Sequence, residues 1–135
     1  MLRHGWDHYF GYMDHVRAHG FYPPFLFRNG ELISVIGNTQ EDCGKSGEPE
    51  TPEVYSERWN MEGKESYSQN IFIDSILQFI TENRSDPFFL YFATQLPHGP
   101  VSIPQVYPEF REDDRLTKIE KEYASMVKML DDNVG

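Results

Sequence analysis

The sequence predicts an α/β fold whose sheet is incomplete within this chain. Helix signals stand before and after a wholly apolar run, Phe88 to Ala93, and this alternation is typical of α/β proteins. The run shows no polar alternation, which indicates a strand covered on both faces. One such strand and two helices are too few elements to cover it, so we expect part of a mixed sheet flanked by helices.

Composition and charge narrow the classes of function. The 135 residues are 39% apolar and 15% aromatic, enough for one modest core, so we expect one domain or part of one. The 22 acidic and 12 basic residues give a formal charge of -10 without a dense Lys/Arg cluster, which disfavours nucleic acid as a partner. No stretch approaches the roughly 20 apolar residues of a membrane helix, and the first residues lack the pattern of a signal peptide.

The first half of the chain predicts a hairpin followed by a loop. The stretch FYPPFLFRNGELISVIGN places an Asn29-Gly30 turn between two short apolar segments, the pattern of a β-hairpin. From Thr39 to Lys64, Gly, Pro, Glu and Ser predominate, so we expect a surface loop with a short strand near Val54.

Two helices are predicted in the second half. In SYSQNIFIDSILQFITENRSDP, Ser66 and Gln69 fit a capping box, and Asp86-Pro87 ends the helix. Its apolar residues recur at helical spacing: Ile73, Ile76, Leu77 and Ile80. A last helix is predicted from a second such set: Leu116, Ile119, Tyr123, Met126, Val127 and Leu130.

The N-terminal histidines form two pairs, each four residues apart. On a helix, His4 with His8 and His15 with His19 would each share one face, as zinc ligands do. Glycines interrupt the region, and neither an HExxH motif nor a nearby cysteine accompanies the pairs. We therefore favour surface or hydrogen-bonding histidines, one of them facing a pocket.

Other reactive side chains lack the setting that their chemistry needs. The run Asp131-Asp132-Asn133 lacks the spacing of a calcium loop, so a solvated helix end is favoured. Cys43 is the only cysteine, which excludes a disulfide within the chain, and its neighbours do not resemble those of a protease nucleophile. Ser68 and Ser102 stand outside any GxSxG motif. We assign no nucleophile within the chain.

His98 is the strongest candidate for a functional side chain. It lies between Pro97 and Gly99-Pro100 at the exit of the predicted strand, where functional residues of α/β sheets tend to gather. The restrained backbone suits a histidine that transfers a proton or binds an anion. Alternatively, the imidazole closes the turn by bonding a carbonyl group.

Four segments in order resemble the middle of a formylglycine-dependent sulfatase of the arylsulfatase type: HGWDHYFGYMDHVRAHGFYPPFLFRNGE, YSQNIF, DPFFLYFATQLPHGPVSIP and YASMVKMLDDNVG. The resemblance runs nearly end to end. It implies an alkaline-phosphatase-like α/β fold in which residues 1–135 form the central part of the catalytic domain. It also implies hydrolysis of a small-molecule or glycan sulfate ester. Relatives are commonly periplasmic, secreted or lysosomal, but this sequence does not specify a compartment.

The resemblance also implies roles for individual residues. The histidine of the family's LPHxP segment contacts sulfate and corresponds to His98, and His15 and His19 are expected to shape the substrate cleft. Relatives use a formylglycine nucleophile and a calcium ion, and we expect both to depend on residues outside this chain. Asn70 stands where many relatives carry Asp, so we assign it no substrate role.

Several family motifs are missing from the sequence. The C/S-x-P-x-R motif is absent, since Gly-Lys-Ser follows Cys43, and Asp132-Asn133 belongs to the pattern of the last helix rather than to a metal site. Paired early aspartates, a GKWH-like segment and a later DNG are absent too. We therefore expect the chain to be inactive alone. The alternatives are a non-catalytic relic or anion-binding module, and a phosphodiesterase or phosphonate hydrolase of the same superfamily.

Overall fold

A computed structural model describes residues 4–40, 51–53, 56 and 59–135. Cys43 and the strand predicted near Val54 lie outside the described residues. The elements are, in chain order, β1 (Phe10–Gly11), a 3-10 helix (Arg17–His19), β2 (Phe25–Arg28), β3 (Glu31–Ser34), α1 (Ser68–Asn83), α2 (Pro108–Arg111) and α3 (Lys118–Val134). No helix in these ranges has the length and apolarity to cross a membrane.

The predicted hairpin is confirmed. β2 pairs with β3 in antiparallel register, and β1 adds a short third strand to the other edge of β2. The turn residues Asn29 and Gly30 have φ angles of 54° and 95°. Asn and Gly adopt this left-handed conformation most readily, which is why the pair favours a tight hairpin turn.

Asn38 joins the hairpin to the start of α1. Its buried side chain donates to the carbonyl oxygens of Pro23 (2.9 Å) and Ser66 (2.8 Å). Its amide oxygen accepts from the backbone N–H groups of Glu65 and Ser66, both at 2.9 Å. Because all four bonds are made by one buried amide, the two segments are held in a fixed relation.

The helix predicted after Ser66 is confirmed, but its predicted capping box is wrong. The residue before α1 is Tyr67, without a side-chain cap, and the Ser66 hydroxyl group donates instead to the carbonyl of Ile36 (2.7 Å). The side chain of Gln69 is fully buried and bonds Gln95, so it does not reach back to a capping position. Burial of the first turn has overridden the local signal.

The last predicted helix is also confirmed as α3. It begins with a capping box in which the Thr117 hydroxyl group accepts from the Glu120 N–H (3.4 Å) and the Glu120 carboxylate accepts from the Thr117 N–H (2.8 Å). Asp131 and Asp132 are exposed, and Asp132 pairs with Lys128. The solvated helix end is therefore confirmed.

The core lies between α3, the residue that precedes α1, and the loops before β2 and after α1. Its buried residues are Phe21, Tyr22, Tyr67, Leu96, Ile103 and Met126. Phe21 stacks on Tyr67 with ring centroids 5.3 Å apart. Phe21 follows the N-terminal histidines in sequence and Leu96 precedes His98, so one core anchors both histidine-bearing loops.

The α/β class is confirmed, but the strand predicted at Phe88 to Ala93 is wrong. These residues form no strand, and Phe89 and Tyr91 are 78% and 70% exposed. A strand exists through hydrogen bonds to its neighbours, and no described strand pairs with this run. The three described strands pair in antiparallel fashion, which is compatible with part of the predicted mixed sheet flanked by helices.

Candidate functional site

The structure brings three of the predicted site residues together. The rings of His19 and His98 lie edge to face with centroids 5.2 Å apart, and those of His15 and His19 lie edge to face at 5.4 Å. His19 therefore stands between the other two, and we call the three residues the histidine row. Distant parts of the sequence meet here on one surface.

An ion pair and a short helix hold the N-terminal part of the row. The Asp14 carboxylate accepts from the backbone N–H and from the guanidinium group of Arg17, both at 2.9 Å. These bonds, the backbone one foremost, lower the pKa of Asp14, so its carboxylate stays charged at neutral pH. They fix the start of the 3-10 helix that ends at His19.

A tight turn holds His98. Its N–H donates to the carbonyl of Gln95 (2.7 Å), and the N–H of Leu96 donates to the Thr94 hydroxyl group (3.0 Å). The side chain of Leu96 is buried in the core, whereas His98 is exposed. Leu96 thus anchors the turn to the core, and His98 is exposed to solvent.

Hydrogen bonds to carbonyl groups assign the protons of two rings. Nδ1 of His98 bonds the carbonyl of Gly99, and Nδ1 of His19 bonds that of His15 (2.6 Å). A carbonyl oxygen only accepts, so each Nδ1 carries the hydrogen. In the neutral ring Nε2 then holds a lone pair, and it donates only after the ring gains a second proton. His98 therefore closes its turn and can still present Nε2 to an anion.

Gln95 is the residue whose part in this site the sequence did not reveal. Its amide nitrogen donates to the carbonyl groups of Ala18 (2.5 Å) and Gly20 (3.0 Å). Its amide oxygen accepts from the hydroxyl group of Ser68 (3.1 Å) and from the side chain of Gln69. The only sequence feature that pointed to Gln95 was its position just before Leu96-Pro97-His98. Its hydrogen-bond partners could not be predicted because they are distant in the sequence.

His8, from the other histidine pair, contacts residues outside the histidine row. His8 stacks on Phe79 with centroids 6.0 Å apart, and its Nδ1 is 3.4 Å from the Asn29 amide nitrogen. Hydrogen bonding by His8 and His19 fits the favoured interpretation of the N-terminal histidines. A shallow depression lined by Pro52, Glu53, Ser56 and Asn60 contains none of them.

The described residues do not form a metal centre. In the described ranges, no three His, Cys, Asp or Glu side chains come close enough to hold a metal ion. The zinc interpretation of the histidine pairs therefore finds no support, and these residues do not fit the calcium ion that the family implies.

Fold and site together define an α/β chain that brings His15, His19 and His98 together. Comparison with known families identifies it further: the family model described as Sulfatase matches residues 3–135. Because this match covers nearly the whole sequence, the chain belongs to the sulfatase family. The resemblance carried by the motifs is thereby confirmed, and the chain is part of the sulfatase-like hydrolases.

Proposed function

We propose that residues 1–135 form the central part of a sulfatase catalytic domain in which His98 contacts the sulfate group of an ester substrate. The observation that supports this proposal is the histidine row, in which the ring centroids of His98 and His19 are 5.2 Å apart. The chain that carries this row belongs to the sulfatase family. The substrate is a small-molecule or glycan sulfate ester.

The chemistry of the row suits this role. A sulfate ester spreads its negative charge over its free oxygens, and an imidazolium N–H is a charge-assisted donor to such an oxygen. The chain carries a formal charge of -10, so a local cationic donor is needed to attract an anion. His98 supplies that donor through Nε2, and His19 and His15 extend the same surface towards the rest of the substrate.

The remaining catalytic groups come from outside this chain in our proposal. A formylglycine would supply the nucleophile, and a calcium ion would neutralise charge on the sulfate. The sequence contains no C/S-x-P-x-R motif, so the isolated chain should not hydrolyse p-nitrophenyl sulfate above background. Turnover that disappears in His98→Ala would contradict this expectation.

Binding of inorganic sulfate to the 135-residue chain tests the role of His98. We expect saturable shifts of the His98 and His19 ring resonances in NMR spectra.

The matched control is His8→Ala, because His8 contacts Phe79 and Asn29 rather than the row. His98→Ala should abolish the sulfate response, and His8→Ala should preserve it. Equal responses in the two variants would contradict the proposal. A parallel titration with inorganic phosphate compares the sulfatase proposal with the phosphodiesterase alternative.

A further inference from the structure

Gln95 uses every strong hydrogen-bonding group of its side-chain amide. Its two N–H groups face the carbonyl oxygens of Ala18 and Gly20, and its oxygen faces Ser68 and Gln69. The two backbone carbonyls only accept hydrogen bonds, so the amide nitrogen must point at them. The orientation of the amide is therefore determined by its partners.

The side-chain partners of Gln95 lie in two segments of the chain. Ala18 and Gly20 flank His19, whereas Ser68 and Gln69 form the first turn of α1. The backbone carbonyl of Gln95 itself accepts from the N–H of His98 at 2.7 Å. One residue thus joins the segment that carries His19 to the turn that carries His98.

The network is buried where it meets α1. Ser68 and Gln69 are both 0% exposed. Gln69 in turn accepts from the Thr94 hydroxyl group (3.2 Å), and that hydroxyl group accepts from the N–H of Leu96 (3.0 Å). Buried polar groups that lose a partner are costly, so the arrangement resists rearrangement while Gln95 is present.

We propose that Gln95 is a positioning residue that fixes the separation of His98 and His19, so that both rings face the same anion. This rests on the proposed function of His98. Gln95 acts through the backbone on either side of it rather than by touching the substrate. Its removal should loosen the histidine row while leaving the aromatic core of Phe21 and Tyr67 in place.

Two substitutions separate hydrogen bonding from shape. Gln95→Met keeps the length of the side chain and removes its four bonds. Gln95→Glu keeps the shape, but its carboxylate faces the carbonyl oxygens of Ala18 and Gly20, which repel it. When protonated, the same acid donates one hydrogen bond and accepts others, so it restores part of the network. Gln78→Met is the matched control, since Gln78 is exposed on α1 and bonds Glu82 (2.7 Å).

The experiment is NMR spectroscopy of the 135-residue chain and its variants, with and without inorganic sulfate. A cross-peak between the His19 and His98 rings reports their separation directly. We expect the parent chain and Gln78→Met to show it. Gln95→Met should lose it and bind sulfate about tenfold more weakly, since small misplacements of polar groups are costly. Gln95→Glu should resemble Gln95→Met at pH 8 and approach the parent chain at pH 5.

The outcomes distinguish this inference from the proposed function. If Gln95→Met keeps the cross-peak and the parent's sulfate affinity, the positioning role is overturned. If Gln95→Met loses the cross-peak but no form of the chain binds sulfate, the positioning role stands and the sulfate contact fails. Should Gln95→Met fail to fold, the comparison of Gln95→Glu at pH 8 and pH 5 decides. Absence of any recovery at pH 5 would then overturn the inference.

Discussion

Tyr67 connects the core to the loop that follows the histidine turn. Its ring is buried against Phe21 and Tyr22, and its hydroxyl group donates to the carbonyl of Ser102 (2.8 Å). Burial, with smaller effects from Tyr22 and Tyr12, raises the pKa of the phenol. The folded chain therefore favours the neutral phenol.

Replacing Tyr67 by Phe should destabilise the chain by about 1–2 kcal/mol, because the buried carbonyl of Ser102 loses its donor. Urea unfolding measures the difference. The control is Tyr91→Phe, which removes the same hydroxyl group from a side chain that is 70% exposed and should leave stability unchanged. Equal effects of the two substitutions would contradict the burial argument.

The raised pKa of Tyr67 predicts how the stability of the folded chain changes at alkaline pH. The pKa of a tyrosine in the unfolded chain is about 10, and the folded value is higher. The stabilisation is therefore complete below the unfolded pKa and decreases as the pH rises above it. In Tyr67→Phe, this part of the loss of stability above pH 10 should disappear.

The residues of the site differ in how far the sequence reveals them. His98 could be predicted from the sequence because it lies between prolines. His15 and His19 could be predicted because they are four residues apart. Gln95 is not, since its role depends on carbonyl and hydroxyl partners that only the folded chain brings near. A residue that acts through its neighbours leaves little signal in a single sequence.

Among the helices and strands, the sequence predicts well those that depend on neighbouring residues. It predicts poorly those that depend on residues distant in the chain. The Asn29-Gly30 turn and the periodicity of both long helices depend on nearby residues, and the structure contains the hairpin, α1 and α3. A strand at Phe88 to Ala93 would need partner strands, and no described strand pairs with these residues. β1 has only two residues, too few for a sequence pattern. The cap of α1 was mispredicted because Gln69 is drawn into a buried network.

The capping box of α3 offers a test at this scale. Thr117→Ala should lower the free energy of unfolding by about 1 kcal/mol, because the first turn loses the hydroxyl acceptor of the cap. Thr117→Ser retains that acceptor and should stay close to the parent chain. Thermal or urea unfolding followed by circular dichroism measures both. A Thr117→Ala variant as stable as Thr117→Ser would show that the cap contributes nothing.

At the scale of the whole molecule, much apolar surface is uncovered. Phe89 and Tyr91 are exposed after α1, Leu77 is 57% exposed on α1, and Val127 is 44% exposed on α3. The sequence patterns predicted burial for these positions. This surface supports the proposal that residues 1–135 are part of a larger catalytic domain.

Hydrogen exchange of the isolated chain tests that proposal. Amides of α1 and α3 should be protected by their helical bonds, as should the N–H of Ser68, which donates to Phe21 (2.8 Å). Amides between 88 and 93 should exchange rapidly, because no described strand pairs with them. Strong protection of 88–93 in a compact monomer would instead favour a stand-alone binding module.

The role of His98 in sulfate ester hydrolysis is tested most directly by the hydrolysis of p-nitrophenyl sulfate by the protein expressed with its flanking coding sequence. We expect that sequence to encode a C/S-x-P-x-R motif before residue 1 and a DNG after residue 135. His98→Ala should then lower kcat/KM by about a hundredfold, the usual cost of losing a donor to developing charge. His8→Ala should leave it unchanged. Full activity of His98→Ala would contradict the proposed contact between His98 and sulfate. Flanking sequence that lacks both motifs would contradict the proposed sulfatase activity.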